Sequence, residues 1–224
     1  MANEIANSNT GNPYESYGDA ASGSFEGDLL KFSKYGEWIF GPGAKKLKDG
    51  TRLVVQMGTL KVGWQKWLDS KPVDARMGYV HESFVACARD QLDATDQLLW
   101  ARDTSGKPVD PWKFCNQIVL IPEADTDDRG PLTYSTSSRG GLRAIGQLCK
   151  AYGRRMRTHP NELPIVTLGC SSYRHDEYGE VRTPVISVCG WTSGNIDAPT
   201  IGSPNPPAPT DADFGPTADE FIPF

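Results

Sequence analysis

Thr51-Arg52-Leu53-Val54-Val55-Gln56-Met57, followed after Gly58-Thr59 by Leu60-Lys61-Val62-Gly63-Trp64-Gln65-Lys66-Trp67, is the stretch that decides the fold class. Asp49-Gly50 ahead of it is a turn signal, and 51–57 is rich in strand-forming residues. In the second run Leu60, Val62 and Trp64 alternate with polar Lys61 and Gln65, as a strand with one buried face requires. That parity sends Lys61, Gln65 and Trp67 to the other face. It gives Lys66 the inward parity unless the chain bends near Gly63.

Working outward, further strands are expected at about 114–121, 131–136, 163–170 and 184–191. The segment 86–106 reads equally as a short helix or a loop. One helix stands out between the strands. Ser137-Ser138 offers an N-cap, and Leu142, Ile145, Leu148, Cys149 and Tyr152 follow helical spacing. Gly153 and Arg154-Arg155-Met156-Arg157 suit its C-terminus, and Pro160 stops it. The expected class is therefore mainly β with one or two helices, an elaborated OB-fold-like β-barrel with disordered N- and C-terminal arms. No internal repeat is evident.

The arms are read from composition. Residues 1–26 carry Glu4, Glu15, Asp19 and Glu26 with no Lys or Arg, and are expected to be a flexible arm. Residues 192–218 hold six prolines among Ser, Thr, Gly and Ala, which suits an extended linker. The acidic tip 219–224 follows. Residues 192–224 together hold Asp197, Asp211, Asp213, Asp219 and Glu220, again without a base. Taking these nine acids from the 28 leaves 19 against 23 bases, so the body 27–191 is +4 within a chain of net −5. A basic body between acidic ends points to a polyanionic partner. Removing 192–224 is expected to raise affinity for such a partner modestly at low salt.

Cys87, Cys115, Cys149, Cys170 and Cys189 are odd in number and scattered, and none pairs with His81, His159 or His175 at ligand spacing. Reduced thiols and no bound metal or cofactor are the expectation. No apolar run reaches membrane-spanning length, and Met1-Ala2-Asn3-Glu4-Ile5 lacks the features of a secretory signal. No phosphate-loop, HExxH or GxSxG pattern is present. The acidic stretches His175-Asp176-Glu177 and Asp125-Thr126-Asp127-Asp128 read as solvated turns. The chain is not expected to be an enzyme.

At the end of the chain stands Asp219-Glu220-Phe221-Ile222-Pro223-Phe224. Here the acids and the terminal carboxylate suit a basic rim, while Phe224, Pro223 and Ile222 suit an apolar pocket. This hexapeptide resembles the C-terminal tip of bacterial and phage single-stranded-DNA-binding proteins, and the order of barrel, Gly/Pro-rich linker and tip is also similar to theirs. The resemblance implies a protein that coats single-stranded DNA without sequence preference. It also implies recruitment of replication, recombination and repair proteins through the tip, in the cytoplasm of a bacterial cell or a phage-infected host. The alternative is an adaptor or decoy that uses the tip to engage such partners without binding DNA.

Holding single strands takes cations for phosphates and flat rings for bases. Lys61, Lys66 and Trp67 form the richest group, with Trp67 favoured as a stacker over Trp64. Tyr35 and Trp38 beside Lys31 and Lys34, Arg76 near Tyr79, and Trp112 beside Lys113 are further candidates, for which core packing is an equal explanation. Arg139 and Arg143 follow Ser135-Thr136-Ser137-Ser138, either a phosphate seat or an ordinary capped helix start. Arg154 and Arg155 read as phosphate ligands or as a solvated helix end.

Overall fold

The computed structural model describes residues 27–69, 71–123, 130–176 and 179–193. Residues 1–26, linker residues 194–218 and the tip Asp219–Phe224 lie outside the described residues, whereas Thr192 and Ser193, expected in the linker, end the last strand. Nine strands form one sheet: β1 (Asp28–Phe32), β2 (Trp38–Phe40), β3 (Lys45–Lys46), β4 (Arg52–Leu68), β5 (Lys71–Tyr79), β6 (Trp112–Pro122), β7 (Leu132–Thr136), β8 (Glu162–His175) and β9 (Gly179–Ser193). Their order is β3-β2-β1-β7-β6-β4-β8-β9, with β5 paired to β4. The sheet curls into an open half-barrel, mainly β and compatible with an OB-like barrel, as the sequence leads one to expect. The one α-helix among the described residues, α1 (Arg139–Met156), packs chiefly on β9 and also on β8 and β6.

The two expected strands of the opening stretch are one strand of 17 residues. Gly58-Thr59 does not turn the chain. The register against β6 passes from Gln56↔Val119 to Lys61↔Gln117, so residues 57–60 bulge opposite Ile118 alone. Thr59 Oγ1 donates to the Gln56 carbonyl at 2.7 Å and accepts from the Val119 amide at 3.0 Å, replacing the interrupted ladder. The extra residues reverse the face that each parity presents. Hence odd-numbered Leu53, Val55 and Met57 and then even-numbered Leu60 all reach the core.

That core joins Leu53, Val55 and Leu60 to Ile118 and Leu120 of β6, Leu132 and Tyr134 of β7, and Ile145 and Leu148 of α1. Trp38 closes it with edge-to-face contacts to Phe32 at 5.2 Å and Tyr134 at 4.9 Å. Its indole Nε1 donates to the Gly169 carbonyl at 2.8 Å. β1, β2, β3 and β5 were not legible as strands, and 86–106 holds short 3-10 turns at Arg89–Gln91 and Gln97–Leu99 and the Arg102 end of one isolated bridge, Arg102↔Pro108.

Helix α1 begins as expected. Ser138 Oγ accepts from the Gly141 amide at 3.0 Å. A methyl at Gly141 would lie 2.1 Å from Thr136 Oγ1, so glycine here lets the helix start close against β7. Gly146 and Gly153 have no such neighbour: a methyl at either would meet nothing within 4 Å. Each costs the helix about 1 kcal/mol relative to alanine.

No helix among the described residues is long and apolar enough to cross a membrane.

Candidate nucleic-acid interface

Directly opposed residues of an antiparallel ladder share a face. Between residues 61 and 66, β4 is laddered on both sides, to β6 and to β5. On the face away from the core, Lys61 stands between Gln117 and Tyr79, Gly63 between Cys115 and Met77, and Gln65 between Lys113 and Ala75. Trp67 continues the same parity on the β6 side, its amide donating to the Pro111 carbonyl at 2.8 Å, while the register against β5 shifts between Lys66 and Trp67. Two contacts report this directly. The Lys61 ammonium lies 4.8 Å from the Tyr79 ring centre, and Cys115 Sγ lies 3.7 Å from Gln65 Oε1. Lys61, Gln65, Trp67, Tyr79, Lys113 and Gln117 are all partly exposed. Two ammonium groups, two amides and two flat rings thus sit on one three-stranded surface. Tyr79 is fixed there by a tilted contact with His81 at 5.3 Å, and its hydroxyl is buried without a hydrogen-bond partner.

The shape of this surface depends on Gly63, whose φ is +144°. A side chain there would bring Cβ to 2.2 Å from the Arg76 carbonyl oxygen of β5. Glycine therefore allows β4 to twist at mid-ladder without losing either neighbour.

The opposite face of the same strands holds Trp64, Lys66, Arg76 and Trp112. Trp64 packs edge-to-face on Phe114 at 5.3 Å and donates to the Cys87 carbonyl at 2.8 Å. A groove of about 690 Å³ runs between β5 and residues 84–93, lined by Arg76, Met77, Phe84, Leu92, Asp93 and Trp112 among others.

Several sequence candidates are corrected by these positions. Trp38 is only 5% exposed and Trp112 only 3%, so neither ring has a face to offer a base. Trp112 Nε1 donates to Asp93 Oδ1 at 2.7 Å, and Lys66 Nζ reaches Asp93 Oδ2 at 2.6 Å. Lys66 therefore keeps the inward parity and anchors a loop rather than a phosphate. Arg76 lies across the sheet from Lys61 and contacts Asp74 at 3.3 Å. Arg155 is held by Glu162 at 2.7 Å and lies 5.4 Å from the Trp191 ring centre. Tyr35 is exposed but belongs to another place, a turn whose carbonyl accepts from Arg182. Arg139, Arg143 and Arg154 are exposed on α1, while Ser138 serves as the helix cap.

The face also includes Gln65 and Gln117, which were not among the sequence candidates, and Tyr79 and Lys113, which the sequence offered only as neighbours of Arg76 and Trp112. A strand at about 114–121 was expected, but its register against Lys61 was not legible.

The Lys66 ammonium, and after it the Trp112 indole, hold the Asp93 carboxyl below its ordinary value. A depressed carboxylate contributes stability that is present above the unfolded pKa and lost as pH falls through the folded one. Acidification below about pH 4 should therefore release residues 84–93 from Trp112, seen as a change in tryptophan emission. Asp93→Asn should flatten that acid limb; an unchanged limb would show that Asp93 does not anchor the loop.

Among the described residues no group of three or more His, Cys, Asp and Glu side chains comes together. None of the five cysteines is in a disulfide, and Cys170 and Cys189 are exposed. No protein family, curated protein or solved structure significantly matches this chain.

Proposed function

We propose that this protein binds single-stranded DNA without strong sequence preference through the β4–β5–β6 face and recruits DNA-processing proteins through Asp219–Phe224. The observation that carries the reading is the placement of Lys61, Lys113, Trp67 and Tyr79 on one face. Ammonium groups attract the phosphates that every nucleotide carries, and rings stack on bases of any identity. Gln65 and Gln117 add donors and acceptors without imposing a sequence. The +4 body supports the reading, and the tip supports the recruiting half.

Titration of the full chain with oligo-dT should quench tryptophan emission. The logarithm of the affinity should fall with that of salt, with a slope of about −1.4 or steeper from the two lysines alone. Phe224→Ala should retain this binding and lose capture of replication or repair proteins on oligonucleotide-coated beads. No binding at low salt would overturn the DNA half, and capture unaffected by Phe224→Ala would overturn the other.

A further inference from the structure

Residues 139–157 contain Arg139, Arg143, Lys150, Arg154, Arg155 and Arg157 and not one acid. All but Arg155 are exposed, at spacings of 4, 7, 4 and 3 that keep them on a single stripe. The buried face of the helix is the opposite one, formed by Gly141, Ala144, Ile145 and Leu148. The acids of the two strands packed nearest, Glu162 of β8 and Glu180 of β9, are engaged with Arg155 and Arg182.

Two properties of this stripe oppose helix stability and have no explanation in packing. Lys150 and Arg154 are like charges at i and i+4, a repulsive arrangement. Gly146 and Gly153 fall on the same stripe, between the cations, where a methyl group would meet nothing. A polyanion lying along the helix accounts for both. It neutralises the repulsion, and bare glycine backbone lets a chain of phosphates approach closely between flanking cations.

We propose that the exposed side of α1 is a second phosphate-binding track. It holds the backbone of a single strand that has already engaged the β4–β5–β6 face, and the inference rests on that reading. At 1.5 Å per residue the stripe is about 27 Å long, room for roughly four to eight phosphates. The track has no aromatic residue of its own, so it contributes affinity and salt dependence and no base stacking.

The test uses the full chain carrying Arg143→Gln, Lys150→Gln and Arg154→Gln, with oligo-dT of about 8 nucleotides, within the range of OB-type site sizes, and of about 40, well beyond it. Affinity for the long oligonucleotide should fall about tenfold at low salt, and its salt slope should become shallower by about 2. Affinity for the short one should not change. An unchanged long-oligonucleotide slope would overturn the track while leaving the β face intact. Failure of the unsubstituted protein to bind either length would instead remove the reading on which the track depends. Competition by poly-glutamate as effective as that of an oligonucleotide of equal charge would overturn a phosphate track in favour of a general anion surface. A second variant, Gly146→Ala with Gly153→Ala, should raise the melting temperature yet weaken long-oligonucleotide binding. A higher melting temperature with unchanged binding would overturn the close approach.

Discussion

Replacing Lys61, Trp67 and Lys113 together by alanine should lower affinity for oligo-dT at least about a hundredfold at low salt. Loss of one stacked base at Trp67 is worth about 1–3 kcal/mol, which alone spans a change of about fivefold to about 150-fold. Each lost phosphate contact should also make the salt slope shallower by about 0.7. None of the three is a core residue. Losing the Lys61–Tyr79 contact should cost folding only about 0.5–1 kcal/mol. Urea unfolding therefore separates the two effects: the midpoint should move slightly while binding collapses. Binding within threefold of the unsubstituted protein would remove this face as the site.

The second large effect lies in the core. Trp38→Ala should destabilise the fold by about 3–5 kcal/mol through the cavity it leaves. It also leaves the Gly169 carbonyl without its indole donor, a further loss of about 1 kcal/mol or more. Domains of this kind are stable by only about 5–15 kcal/mol, so much of the margin would disappear. Trp38→Phe keeps the ring contacts and loses the hydrogen bond, so its midpoint should fall between the two. Trp38→Phe should also bind oligo-dT normally, because a ring buried between Phe32 and Tyr134 stacks on no base. An unfolding midpoint unmoved by Trp38→Ala would contradict the packing described.

How far the sequence could be read depended on whether each residue's surroundings were local. The alternation in 60–67 predicted the opposite parities of Lys61 and Lys66, and the structure keeps them. Helix α1 was legible because its cap, its apolar spacing and its stop all lie within one segment. β5 was not, because Lys71-Pro72-Val73-Asp74-Ala75-Arg76 lies in a strand paired only to β4 and carries little apolar signal. Trp112 beside Lys113 looked like a cation next to a stacking ring. In a strand, however, adjacent residues point to opposite faces, so the indole went to the core side and the ammonium to the other. Lys61, Lys113 and Tyr79 belong to three strands, and only their register brings them together. A pattern along one strand cannot express that register.

The 17-residue strand β4 has a mechanical consequence. It runs from the packed core to Trp67, and over residues 61–66 it is clamped by hydrogen-bonded neighbours on both sides. Tension applied near Trp67 along the strand axis would load those bonds in shear, all together, instead of peeling them one at a time. A taut filament held at that end would pull on the stiffest line through the molecule.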